Sequence, residues 1–316
     1  MNERELLEAA GRLPKSIEPP RDLWPGIASR LRRRRWRRAY WIPLAAAAAL
    51  AAVLLGTRNG GWVVTPLAGL PSVASAPLHA AGTLRVGQWV ETDDSSRALI
   101  AVGHIGHVEV RPGTRIQLVV ARADDHRLAL ARGAIEAKVD TVPRIFFVET
   151  PVGTAIDLGC AYTLEMDSLG NGLLHVTAGV VEFQGRGHIA RVPMGALVQT
   201  RGGVGPGIPY VEDAPEALRR ALAASDTRGA LAAARPDDAI SLWHLLQRVD
   251  AAQRGAVYDR LAGLVPPPGG VTRAAALALD TAALDAYWTH IHRILFRKIM
   301  LRGVRDIDPR TGTRAR

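Results

Sequence analysis

Apolar positions along this chain change their period twice, and each change marks a different kind of structure. Residues 39–57, AYWIPLAAAAALAAVLLGT, form one unbroken stretch of 19 residues without a charge. As a helix rising about 1.5 Å per residue it reaches ~28 Å, close to one hydrocarbon core. From residue 82 to 208 the apolar residues come in short runs bounded by Gly, Pro, Asp or Asn, such as ALIAV, HVEV, RIQLVV, RLAL, AIEAKV, IFFVET, LLHVT and VVEF. His107-Val108-Glu109-Val110 and Ile116-Gln117-Leu118 alternate apolar with polar, the period of a strand with one covered face. Short strands punctuated by turn residues predict a sandwich or roll. From residue 209 to 302 the spacing becomes three and four, as in APEALRRALAAS and DDAISLWHLLQRV, which predicts helices packed as a bundle or a stack of helix pairs. The fold class is therefore mainly β followed by an α-helical domain, with one N-terminal transmembrane helix.

Stretches between these regions read as connectors. Residues 58–81 are rich in Gly, Pro, Ala and Ser and are expected to be a tether, with room for one edge strand near Trp62–Thr65. GGVGPG at 202–207 has the composition of a phosphate loop without its Lys-Ser/Thr, and is expected to be a hinge. Residues 303–316 read as a disordered basic tail.

Charge decides the meaning of the apolar stretch. The formal charge is +10, of which residues 1–38 supply +6 through 11 Lys/Arg against 5 Asp/Glu. Arg30, Arg32, Arg33, Arg34, Arg35, Arg37 and Arg38 lie directly before the stretch, and after Arg58 the next charge is Arg85. Cationic residues resist translocation, so the Arg-rich side is expected to stay in the cytoplasm and the C-terminal side to cross an inner membrane into the periplasm. Orientation and anionic lipid account for this basic excess, so nucleic acid is not an expected partner. An alanine-rich middle also suits a buried soluble helix, and Ala74-Ser75-Ala76 resembles a signal-peptidase site. That site lies well past the apolar end, and a 38-residue lead-in is long for a signal peptide. A single-pass anchor is the reading adopted.

The cytoplasmic segment 1–38 carries Pro14, Pro19, Pro20 and Pro25 and cannot bury a core unaided. It is either a disordered leader or a segment that folds on a partner through Leu23, Trp24 and Ile27.

Candidate chemistry is sparse. Cys160 is the one cysteine, so no disulfide framework exists, and its strand-like setting makes it a small core residue. His104 and His107 would face opposite sides of a strand, and His290 and His292 do not share a helix face. Asp93 and Asp94 suit an Asx-turn. With no nucleophile–base pair and no metal spacing, neither an enzyme nor a cofactor or metal is expected.

Two resemblances add to this. LPKSIEPPRDLWPGI, followed by an Arg cluster and one apolar helix, resembles the opening of some membrane-bound anti-sigma-like proteins. Many of those carry a His/Cys zinc motif, whereas residues 1–38 contain neither residue. VEVRPGTRIQLV, LALARGAIEAKV, FFVETPVGTAIDLGCAYTLEM and LLHVTAGVVEF, in that order, resemble the FecR-type domain. The shared signature is Pro112-Gly113-Thr114, Gly133, Thr150-Pro151 with Gly153, Gly159, and Ala178-Gly179-Val180, with Cys160 where the family often has Thr. The resemblance implies an extracytoplasmic β domain in a transmembrane signalling regulator, receiving an unknown periplasmic protein or ligand and reporting to an ECF-type sigma factor. It implies structural rather than chemical roles for the motif residues. The alternative is an envelope scaffold with no sigma factor partner.

Overall fold

In the computed structural model, which describes residues 61–140 and 142–305, the organising element is one long strand, Asp125–Val139. Its first half, through Arg132, pairs with Arg115–Arg122 on one side and with Phe146–Thr150 on the other. Its second half, from Gly133, pairs with Gly106–Val110 and Ala161–Met166. The strand thus belongs to two sheets and joins them. The inward positions change parity on the way: His126, Leu128 and Leu130 are buried in the first half, Ile135, Ala137 and Val139 in the second. A side-chain period of two tolerates such a change only at a kink, and Gly133 supplies it with φ of +97°.

One sheet runs Gly82–Arg85, Gly61–Ala68, Arg97–Val102, Gly106–Val110, the second half of the long strand, Ala161–Met166, Gly172–Ala178 and Ala196–Arg201. The other runs Ala76–Pro77, Ser72–Val73, Trp89–Glu91, Arg115–Arg122, the first half of the long strand, Phe146–Thr150, Gly153–Asp157, Val180–Gly185 and His188–Pro193. Every ladder is antiparallel except that between Phe146–Thr150 and the long strand. Alternation in the sequence becomes alternation in burial, as in Arg97–Val102, where Ala98, Ile100 and Val102 point inward.

The stretch expected as a tether contributes to this core. Gly61–Ala68 lies between Gly82–Arg85 and Arg97–Val102, so it is an inner strand and not an edge. Trp62 and Val64 are buried there. The strand expected near Trp62–Thr65 is thus present, but with a partner on each side in place of one.

Six helices follow: α1 (Glu216–Ala223), α2 (Thr227–Ala233), α3 (Ala239–Arg248), α4 (Ala251–Leu264), α5 (Arg273–Leu277) and α6 (Thr281–Arg305). Asp226 caps α2 by accepting from the Gly229 N–H at 3.0 Å, and Thr272 caps α5 through the Ala275 N–H at 3.2 Å. A 3-10 turn, Pro236–Asp238, leads into α3. α3 is buried on all sides from Ala239 to Leu246, as expected for a helix covered by other elements all round. It touches α4, α6 and the strand Tyr210–Val211.

No hinge separates the strands from the helices. Gly205–Pro206 and Tyr210–Val211 are short strands on Ala196–Arg201, and both pairs are buried. Apolar residues of both parts belong to one continuous core.

Residues 1–38, with Leu23, Trp24, Ile27 and the arginines 32–35, 37 and 38, lie outside the described residues, as does the apolar stretch 39–57. Among the described residues no helix is long and apolar enough to cross a membrane.

Candidate functional site

Motif residues among Pro112–Thr114, Gly133, Thr150–Gly153, Gly159 and Gly179 are brought together in pairs at tight turns and close approaches of the chain. At the corner where the long strand changes sheets, Thr114 Oγ1 donates to Ala134 O at 3.0 Å and accepts from the Ala134 N–H at 2.9 Å. Thr92 Oγ1 in turn accepts from the Thr114 N–H at 2.9 Å and donates to Arg111 O at 2.6 Å. A Cβ on Gly133 would sit 2.3 Å from Thr114 Cα. Gly113, with φ of +68°, completes the turn after Pro112. Thr150 Oγ1 donates to Gly153 O at 2.7 Å, which closes the turn around Pro151. Gly179 lies against Gly159, where a Cβ would meet the Gly159 carbonyl at 2.3 Å. These residues hold corners.

Candidate reactive groups sit in structural settings. The Cys160 thiol is buried and donates to Val180 O at 2.7 Å, and burial, with the nearby Asp157 charge adding to it, pushes its pKa up to about 12. Asp157 accepts from the Gly159 N–H at 2.6 Å, while burial raises its carboxyl to about 6. Asp93 accepts from the Ser95 and Ser96 N–H groups, both at 2.8 Å, as its Asx-turn expectation required. His104 and His107 are exposed. No group of three or more metal-ligating side chains forms among the described residues.

Strands and helices meet through a buried polar network. His244, on α3, receives the Arg191 N–H at its Nε2 (3.0 Å), and its Nδ1–H donates to Ile240 O at 2.7 Å. That pairing fixes the neutral tautomer, and burial pushes its pKa down to about 3. The Arg191 guanidinium reaches Glu182 at 3.2 Å and Asp285 at 2.7 Å, so one side chain ties a strand to α6. Arg144 joins the same Glu182 at 2.6 Å. Trp243 packs on Trp288 with ring centroids 5.0 Å apart and donates its Nε1–H to Leu284 O at 3.0 Å.

Beside this network a cavity of about 370 Å³ opens between the strands around Ala196–Arg201 and helices α1, α2, α3 and the start of α4. Its lining includes His188, Arg201, Leu222, Leu245 and Arg248. Arg248 closes α3 and is mostly buried, with Nη1 donating to Pro206 O at 2.9 Å. Its Nη2 is shut from solvent and has no hydrogen-bond partner among the described residues. Burial lowers its pKa to about 10, with no opposing charge to offset it, and the group stays cationic at neutral pH.

Two crystal structures of a "putative anti-sigma factor" from Parabacteroides distasonis are similar to this chain. They are 16% identical to it with TM-scores of 0.35, and the alignments cover 40% and 42% of this chain. The chain spans 60% and 63% of their length. No family model and no curated protein matches the chain.

Sequence reasoning gave the signature residues structural roles but passed over the junction. His244 reads as a core-edge residue in DDAISLWHLLQRV, yet it is fully enclosed. Arg248 and Arg191 stand among many arginines, and nothing in their local pattern sets them apart. The one available signal was α3 itself, whose apolar residues cover more than one face.

Proposed function

We propose that this chain is a single-pass inner-membrane signalling regulator of the FecR-like, anti-sigma type. Its β–α unit stands outside the cytoplasm and receives a protein or ligand signal. Its Arg-rich N-terminal segment reports the signal to an ECF-type sigma factor. It works by binding and carries out no chemistry of its own. The observation that carries this reading is the pairing of signature residues distant in sequence. Thr114 meets Gly133, and Gly159 meets Gly179, at contacts that no larger residue at Gly133 or Gly179 would allow. A signature kept for the sake of a receiver fold would place its residues in such contacts. The apolar stretch 39–57 and its seven preceding arginines supply the anchor and its direction.

Topology gives the first test. Alkaline phosphatase fused after Arg316 is expected to be active in cells, and fused after Arg38 inactive; the reverse pattern overturns the orientation. A fusion within 58–81 would be uninformative about folding, because it removes the inner strand Gly61–Ala68.

A second reading has one observation in its favour. Residues 1–38 contain no His or Cys, so the zinc site of many anti-sigma factors has no ligands there. In that reading the β–α unit is an envelope scaffold without a sigma factor partner.

A further inference from the structure

We infer that the cavity between the strands and helices α1–α4 is a binding site for a small organic anion with an apolar body, its charged head held by Arg248 and Arg201. The inference stands apart from the regulator reading, since it rests on the cavity alone.

Three features converge on this ligand chemistry. First, Arg248 and Arg201 both line the cavity, Arg248 mostly buried with its Nη2 shut off and Arg201 exposed, and the hydrogen bonds they make go to backbone carbonyls. Arg248 donates to Pro206 O and Arg201 donates to Ala223 O at 2.9 Å. A carbonyl accepts a hydrogen bond but carries no charge, so it leaves the cation uncompensated. A mostly buried cation without a counter-charge is costly, and the usual remedy is a paired acid. Second, the carboxylates in the lining are Asp226, committed to the Gly229 N–H, and Asp250, which precedes α4 and makes no capping hydrogen bond there. Arg219, a third cation of the lining, is paired with Glu216. Desolvation and the charge of Arg248 lower the pKa of His188, a further residue of the lining. Third, Ile208, Leu222 and Leu245 give the cavity an apolar wall. Its volume of about 370 Å³ suits a ligand of roughly ten to fifteen heavy atoms, at the lower end of small-molecule sites. An anion with no apolar part would leave that wall against water. A neutral apolar molecule would leave the guanidinium charge unanswered.

The position gives the site a consequence. Its lining comes from the strands and from four helices, α1 to α4, so an occupant contacts both parts of the fold at their junction.

Calorimetric titration of the purified full chain, in a buffer free of polyvalent anions, tests this. The probes are phenyl phosphate, benzoate, inorganic phosphate and benzylammonium. Phenyl phosphate and benzoate are expected to bind with one site, inorganic phosphate more weakly, and benzylammonium not at all. Arg248→Met is expected to weaken phenyl phosphate at least about tenfold, and Arg201→Met at least about threefold. Leu222→Trp keeps both cations and fills the cavity, and is expected to abolish binding. Circular dichroism checks that each variant folds; if Arg248→Met does not, Arg201→Met and Leu222→Trp carry the test. The inference is overturned if neither organic anion binds, if benzylammonium binds as tightly as benzoate, or if inorganic phosphate matches phenyl phosphate. Wild-type affinity in folded Arg248→Met, or in both other variants, overturns it equally.

Discussion

Acidification from about pH 7 to pH 4 is expected to remove roughly 3 kcal/mol of stability through one side chain, His244. Its ring is enclosed on all sides and uses both nitrogens: one donates to Ile240 O and the other accepts from the Arg191 N–H. A second proton would have to sit on the accepting nitrogen, facing a donor, with Arg248 and Arg191 adding repulsion. The folded pKa of about 3 therefore lies far below that of an unfolded histidine. For a depressed basic group the stabilisation is complete above the unfolded value of about 6.5 and is lost as pH falls toward the folded one. Asp157 works in the opposite sense. Its folded pKa of about 6 lies above the unfolded value, so its contribution falls as pH rises from about 4 to 6. A comparison of His244→Gln with the unaltered chain isolates the histidine, because Asp157 is common to both. The variant is expected to be less stable near pH 7 by about 1–3 kcal/mol, since Gln fits the two hydrogen bonds imperfectly. By about pH 4 that gap should have closed or reversed. Urea midpoints at three pH values measure it, and parallel curves for the two proteins would show that His244 does not control the acid limb.

Gly133→Ala is expected to cost on the order of 3 kcal/mol or more, enough to unfold a marginal domain. Two effects add. At φ of +97° any residue with a Cβ is strained, and here the Cβ would fall 2.3 Å from both Cα and Oγ1 of Thr114. Thr114 cannot retreat, because its hydroxyl spans both backbone groups of Ala134 and its own N–H is bound to Thr92. Gly87 is the matched control, with φ of +88° and nothing within 4 Å of an added Cβ. Gly87→Ala carries the strain without the collision and is expected to lose about 1–2 kcal/mol. Chemical denaturation of both variants separates the two contributions. Equal losses would mean that backbone strain, and not the packing of the corner, makes Gly133 necessary.

Much of the fold was legible from its periods. Alternation gave the strands of 82–208 because each has one face on the core, and three-four spacing gave the six helices. The motif residues were read as structural, and Gly133 lies inside the strand Asp125–Val139, at its kink. Three features were not legible, each for a physical reason. Gly61–Ala68 was expected only as an edge strand near Trp62–Thr65 within a Gly/Pro-rich tether, and its inner position comes from two partner strands that the local pattern does not show. GGVGPG looked like a hinge because backbone pairing by Gly205 and Pro206 depends on Ala196–Arg201 and leaves no side-chain pattern. The cavity depends on Arg248 and Arg201 being drawn together by tertiary packing, and no local spacing encodes that.

Capture of a sigma factor by the N-terminal segment tests the regulator reading most directly. The full chain, tagged at its C-terminus, would be recovered from membranes with its bound proteins, which mass spectrometry identifies. The unaltered chain is expected to retain a sigma factor of the ECF type. Trp24→Ala should lower that retention at least about thirtyfold, since a buried Trp anchor is worth roughly 2 kcal/mol or more. Recovery of the chain from membranes with no sigma factor bound would contradict the regulator reading and leave the envelope scaffold as the account of this protein.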